Sequence, residues 1–110
     1  ASLVNGGYYY QPRVVKEILN DQNATVKKIE PLLIRRTVSE ETSEFIKEAM
    51  YQTVELGTAK YAKVEGYTIG GKTGTAEKIP RNQGNYVVSF LGSVPAMDPS
   101  IVIYVVIDEP

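Results

Sequence analysis

The sequence predicts an α+β fold, with one long helix against an antiparallel sheet and a β-hairpin toward the N-terminus. Three observations predict it. Only the stretch from Ser39 to Gly57 repeats apolar residues every three or four positions between a capping residue and a glycine. Three strand-like segments, 67–78, 86–94 and 100–108, then follow one another across short loops. Parallel neighbours would need crossovers of about a dozen residues or more, so these three strands form an antiparallel meander. Finally, the first third is rich in Tyr and Val around the turn cluster Asn20-Asp21-Gln22-Asn23.

Taken in order, Ala1-Ser2-Leu3-Val4 running into Asn5-Gly6-Gly7 reads as the last turn of a helix ended by glycine. Tyr8-Tyr9-Tyr10 and Val14 to Leu19 lead up to the turn, and Thr25 to Ile29 returns, giving a surface hairpin over 8–30. Strand packing accounts for the tyrosines. The helix is expected over about 40–56. Ser39 is its N-cap, Glu40 and Glu41 sit where the helix dipole favours carboxylates, and Gly57 ends it. Phe45, Ile46, Ala49, Met50, Thr53 and Val54 form its apolar stripe. An irregular connection from Thr58 to Glu65 reaches the sheet. Along 86–94, Tyr86, Val88 and Phe90 share one face and Val87, Ser89 and Leu91 the other.

With 110 residues, 43% hydrophobic and 23% charged, the chain is sized for one small domain and is not disordered. A net charge of −1 with scattered Lys and Arg offers no footprint for nucleic acid. There is no Cys and no His. That excludes a Cys nucleophile, a Cys-rich zinc site and a Ser-His-Asp triad within the chain, and no metal or cofactor is expected. No apolar run reaches the roughly 18 residues that span a bilayer, and nothing resembles a signal peptide. Both ends read as cut from a larger domain, so 1–110 is expected to be a single partial domain.

The stretch that carries chemistry is Gly66 to Lys78, GYTIGGKTGTAEK. It contains the phosphate-loop pattern G-x-x-x-x-G-K-[ST] from Gly66 to Thr73. A phosphate loop needs an apolar strand before it and a helix after it, because backbone N–H groups and a helix dipole hold the phosphates. Ala59 to Glu65 is too charged for a central strand, and Gly74 and Pro80 leave no room for a helix. The apolar run ending in Asp108-Glu109 imitates a magnesium-binding strand, but no crossovers remain to complete such a fold.

The same stretch contains Lys72-Thr73-Gly74-Thr75, a pattern of serine acyl-transferases. On an edge strand, Thr73 and Thr75 point to one face and can hold a small carboxylate. Gly74 gives clearance for a ligand backbone, Lys72 adds a cation, and a strand N–H can serve as half of an oxyanion hole.

From here the chain resembles, over almost its whole length, the C-terminal part of the transpeptidase domain of class B penicillin-binding proteins. Asn5-Gly6-Gly7 followed by the tyrosines and Pro12 is similar to a helix end and strand of that family. SEETSEFIKEAMYQTVELGTAKYA resembles the helix before its third strand, GYTIGGKTGTAEK that strand, NYVVSFLGSVP its fourth and IVIYVVIDEP its fifth. The resemblance implies D,D-transpeptidation of peptidoglycan stem peptides ending in D-Ala-D-Ala, an end that penicillins and other β-lactams mimic. It implies a parent enzyme anchored outside the cytoplasmic membrane. Lys72 would join the polar network around the serine of a second motif. Thr73 and Thr75 would hold the terminal carboxylate, the backbone N–H of Thr75 would donate to the oxyanion, and Gly74 would give clearance.

The family's nucleophile motif S-x-x-K and its S-x-N motif are missing. None of Ser2, Ser39, Ser43, Ser89, Ser93 and Ser100 has Lys three positions on or Asn two positions on. This chain alone is therefore expected to transfer no acyl group. Ile101 to Ile107 is apolar throughout, as in a strand buried on both faces, whereas the helix can cover only one. Self-association through an exposed sheet face or edge is expected. A non-catalytic binding or assembly module on the same fold is the alternative in another class; a phosphate-loop nucleotide hydrolase is the weaker one.

Overall fold

Glycine sets the start of the fold. A computed structural model describes all 110 residues, Ala1–Pro110. Ser2–Val4 form a single 3-10 turn, after which Gly6 and Gly7 adopt φ of +87° and +92°. At Gly7 a Cβ would stand 2.0 Å from the Val38 carbonyl oxygen, so any side chain there collides with backbone.

The N-terminal third contains four short strands: β1 (Tyr8–Tyr10), β2 (Glu17–Leu19), β3 (Thr25–Lys28) and β4 (Leu33–Arg36). β2 and β3 make the expected hairpin. Its turn is held by the Asn20 side chain, which accepts the N–H groups of Gln22 and Ala24. The single hairpin expected over 8–30 is corrected in one respect: the tyrosines lie outside it. β1 pairs antiparallel with β4, Tyr8 opposite Arg36 and Tyr9 opposite Arg35. Val14, expected in a strand, is fully exposed between the two ladders. The Gln11 N–H to Leu32 carbonyl bond and the Ile29 N–H to Lys16 carbonyl bond join the ladders into one arm.

α1 (Glu40–Glu55) begins as predicted, with the Ser39 hydroxyl accepting the Thr42 N–H. Its end differs in cause. Gly57 is not in the left-handed region; it is small because a Cβ there would lie 2.9 Å from the Thr53 carbonyl oxygen. The buried face also differs from the predicted stripe. Ser43, Lys47 and Val54 are buried, with Ile46 and Met50 partly so, whereas Phe45 is 74% exposed and Ala49 faces solvent. The helix is turned this way by polar anchors. The Ser43 hydroxyl accepts the Gly6 N–H at 3.0 Å and donates to the Leu3 carbonyl at 2.9 Å. Lys47 Nζ donates to Glu44 and to the Met97 carbonyl, at 2.6 and 2.9 Å.

β5 (Gly70–Glu77), β6 (Tyr86–Val94) and β7 (Ile101–Asp108) form the antiparallel meander in the order β5-β6-β7. β5 starts three residues later than expected, because Tyr67 to Ile69 leave the turn at Glu65 and the positive-φ Gly66 as irregular chain. Gly71-Lys72-Thr73 thus lies inside a strand instead of leading into a helix, which removes the geometry a phosphate loop needs. α1 packs chiefly on β5, where Gly70 lets Met50 and the Tyr51 backbone come close. The helix covers little beyond β5, and every residue of β7 is exposed.

Candidate functional site

β5 is the end strand of its sheet, and no strand pairs with its outer edge. Two hydrogen bonds fix which backbone groups that edge presents. The Lys78 N–H donates to the Asn85 carbonyl, so Lys78 and its opposite number bond toward β6. Backbone direction alternates along a strand, so Ala76, Gly74 and Lys72 also bond toward β6 while Glu77, Thr75 and Thr73 turn their N–H and C=O groups outward. The second bond, from the Glu109 N–H to the Tyr86 carbonyl, sets the same phase one strand further: Tyr86 bonds toward β7, leaving Val87, Ser89 and Leu91 for β5. The free edge of the sheet therefore offers the backbone of Thr73, Thr75 and Glu77.

Side chains follow the same alternation. Thr73 and Thr75 share a face with Phe90 and Val88, their opposite residues on β6, and border a cleft of about 270 Å³ floored by Val105 and Ile107. A second cleft, about 310 Å³, meets the first at Thr75 and Val88 and runs toward Asn85 and Glu109. The Thr73 hydroxyl lies 3.5 Å from that of Thr58, just past the helix. Lys72 leaves from the opposite face, but its ammonium bends round to the edge and donates to the Thr73 carbonyl at 2.6 Å. Thr73, Thr75 and the Lys72 ammonium thus meet at one edge, with the Thr75 N–H unpaired by any strand, while Gly74 between them bonds inward to β6.

Gly74 has a reason inside the protein. A Cβ there would stand 2.7 Å from the hydroxyl oxygen of Ser89, its partner across the ladder. Phe90 was not singled out as a site residue, yet its ring lies across the paired glycines Gly71 and Gly92, where added Cβ atoms would come within 2.3 and 2.8 Å of it. The ring covers backbone that glycine leaves bare and walls the cleft beside Thr73. The sequence signal was present: two glycines facing each other across an aromatic, visible only once the register is known.

Lys78 follows the last residue of β5. Its Nζ lies 2.8 Å from Asp108 and 2.9 Å from Glu109, and these hydrogen bonds, Asp108 first, hold its pKa above the ordinary 10.5. Glu77 forms no ion pair; its carboxylate accepts the Asn82 N–H from the β5–β6 loop. No group of three or more His, Cys, Asp or Glu side chains is placed to hold a metal ion.

The family described as the penicillin-binding protein transpeptidase domain matches residues 1–110. Stage V sporulation protein D of Bacillus subtilis is 45% identical over 114 residues, a match that covers 100% of this chain and 18% of that protein. Penicillin-binding protein PbpB of Mycolicibacterium smegmatis is 33% identical over 122 residues, covering 99% of this chain and 18% of that protein. The D,D-transpeptidase domain of a peptidoglycan glycosyltransferase from Eggerthella lenta superposes with a TM-score of 0.87 at 29% identity, over 99% of this chain and 25% of that one. Penicillin-binding protein 3 of Mycobacterium tuberculosis, solved in complex with aztreonam, does so with a TM-score of 0.83 at 29% identity, over 99% of this chain and 27% of that one. The chain thus spans 18% of the length of these curated relatives.

Proposed function

The chain belongs to the penicillin-binding protein transpeptidase domain family, and on that premise we propose that it forms one wall of the acyl-transfer site of a serine D,D-transpeptidase. The observation that carries the proposal is the free edge of β5, where the outward N–H of Thr75 lies between the hydroxyls of Thr73 and Thr75. An acyl-D-Ala-D-Ala end lying there puts its terminal carboxylate against the two hydroxyls and its penultimate carbonyl oxygen on the Thr75 N–H. That N–H is placed to strengthen its bond as the oxygen gains charge, which is the way such donors accelerate acyl transfer. Lys72 adds positive charge beside the carboxylate.

The nucleophile would come from elsewhere in the parent protein, since this chain holds neither S-x-x-K nor S-x-N. In the full reaction the serine oxygen bonds to the penultimate D-Ala carbonyl carbon, and the C–N bond to the terminal D-Ala breaks as that nitrogen takes a proton. The acyl group then passes to the amine of a second stem peptide, cross-linking peptidoglycan. A β-lactam enters the same way, but its leaving nitrogen stays tethered and the acyl-enzyme persists. No helix of this chain is long and apolar enough to cross a membrane. The parent would work on the outer side of the cytoplasmic membrane, where its substrate lies, held by a segment beyond this one. The isolated chain would self-associate through β7 and the open sheet, whose apolar residues have no cover.

Intact mass after incubation with benzylpenicillin tests the proposal, on the full-length native protein and on residues 1–110. The expected outcome is one adduct on the full-length protein and none on the chain alone. No adduct on either would point to the non-catalytic module, which also needs no nucleophile. An adduct on the short chain would place the nucleophile within it and overturn the division of the site.

A further inference from the structure

Glu77 is the third residue on the face and edge that present Thr73 and Thr75, and the free edge turns its backbone outward as well. Granting the transpeptidase function proposed above, on which this inference rests, the polarity of the bound peptide follows. Its carboxyl terminus lies at Thr73 and Thr75, so its preceding residues run antiparallel to β5, toward Glu77. Strand residues advance by about 3.4 Å, so the residue before D-Ala-D-Ala lies between Thr75 and Glu77, roughly 7 Å apart.

The charges around that position are uneven. Lys78, the nearest cation in sequence, is already shared by Asp108 and Glu109. Glu77 has no cationic partner and is half-buried against the β5–β6 loop, where the Asn82 N–H holds one of its carboxylate oxygens. That bond orients the carboxylate without neutralising it. Lys72 cannot balance it from the far side of Thr75, since its ammonium rests on the Thr73 carbonyl. A donor peptide thus meets cationic and hydroxyl groups at its carboxylate end and an unpaired carboxylate one or two residues earlier.

We propose that Glu77 is a specificity-determining residue that favours acyl donors bearing a positive charge, such as a free amine, on the residue before D-Ala-D-Ala. It acts by attraction to an amine and repulsion of a carboxylate at one place, both through a part-exposed group and hence of moderate size. It is not required for bond breaking.

Three penicillins that differ only at the carbon next to the side-chain carbonyl supply the probe: ampicillin carries an ammonium there, benzylpenicillin a hydrogen and carbenicillin a carboxylate. Second-order acylation rates of the full-length protein are measured by intact mass in mildly acidic buffer, where the ampicillin amine is protonated. The expected order is ampicillin over benzylpenicillin over carbenicillin, with the outer two separated by about fivefold or more, the size of one or two exposed charge interactions. Glu77→Gln keeps the acceptor for Asn82 and removes the charge, so the ratio should fall toward one; Glu77→Lys should reverse the order. A wild-type order without charge preference, or a preference that survives both substitutions, overturns the inference while leaving the transpeptidase function standing. Failure of all three penicillins to acylate the wild-type protein overturns the function itself.

Discussion

At the scale of single residues, the site is made by alternation. Lys72 to Thr75 was legible in the sequence because a strand of known phase puts Thr73 and Thr75 together whatever surrounds them. Phe90 was not legible, because its ring finds Gly71 and Gly92 through a register that no local pattern sets. Ser43 escaped for the same reason: in sequence it is a polar residue in the first turns of a helix, and only folding brings the Gly6 N–H and the Leu3 carbonyl to it. The functional weight of the hydroxyls can be measured directly. Thr73→Val keeps shape and strand preference but removes the hydroxyl proposed to donate to the substrate carboxylate, a bond worth about 1.5–3 kcal/mol. Acylation of the full-length protein by benzylpenicillin should slow by roughly 10- to 100-fold. An unchanged rate would show that the carboxylate is held elsewhere.

At the scale of elements, α1 and the meander were legible from the sequence and the N-terminal arm only in part. The helix has a cap and a period, and the meander has short loops that leave one pairing open to each strand. β1 finds its partner β4 some 26 positions away, and β4 is four residues with two arginines, too short and too charged to announce a strand. The apolar stripe of α1 was misplaced because Ser43 and Lys47, polar in sequence, are buried by hydrogen bonds that turn Phe45 outward. Lys78 makes a prediction at this scale, since it ties the end of β5 to the end of β7. Its folded pKa is raised, so its contribution is present in full below the ordinary value of 10.5 and lost as pH rises through the raised value. The stability gap between the full-length protein and its Lys78→Met variant should be constant from neutral pH up to that ordinary value. It should close in stronger alkali, as followed by denaturant midpoints; a gap that persists there would mean packing, not charge, holds the pair.

At the scale of the whole molecule, the chain is too open for its length. Its radius of gyration is 17.7 Å, against about 13 Å for a compact domain of this size. Its accessible surface is 8341 Å², where a folded monomer of the same mass exposes about 6,100 Å². Only 11 of 110 residues are buried, and hydrophobic burial is the main term that offsets chain entropy. Residues 1–110 alone should therefore show no cooperative thermal transition by calorimetry, whereas the full-length protein should show one; a sharp transition in the short chain would mean that its few contacts suffice. The free edge of β5 carries a different consequence, for the history of the site. What it offers an inhibitor at Thr75 is a main-chain N–H, and among the encoded residues only proline lacks one. A lineage pressed by such an inhibitor cannot discard that donor by an ordinary codon change; proline at this outward-facing edge position would spare the ladder but withdraw the N–H from the proposed substrate as well. Escape is left to the margins, to Glu77, Phe90 and the loop from Ile79 to Asn85, where variation should gather while the backbone of the site stays as it is.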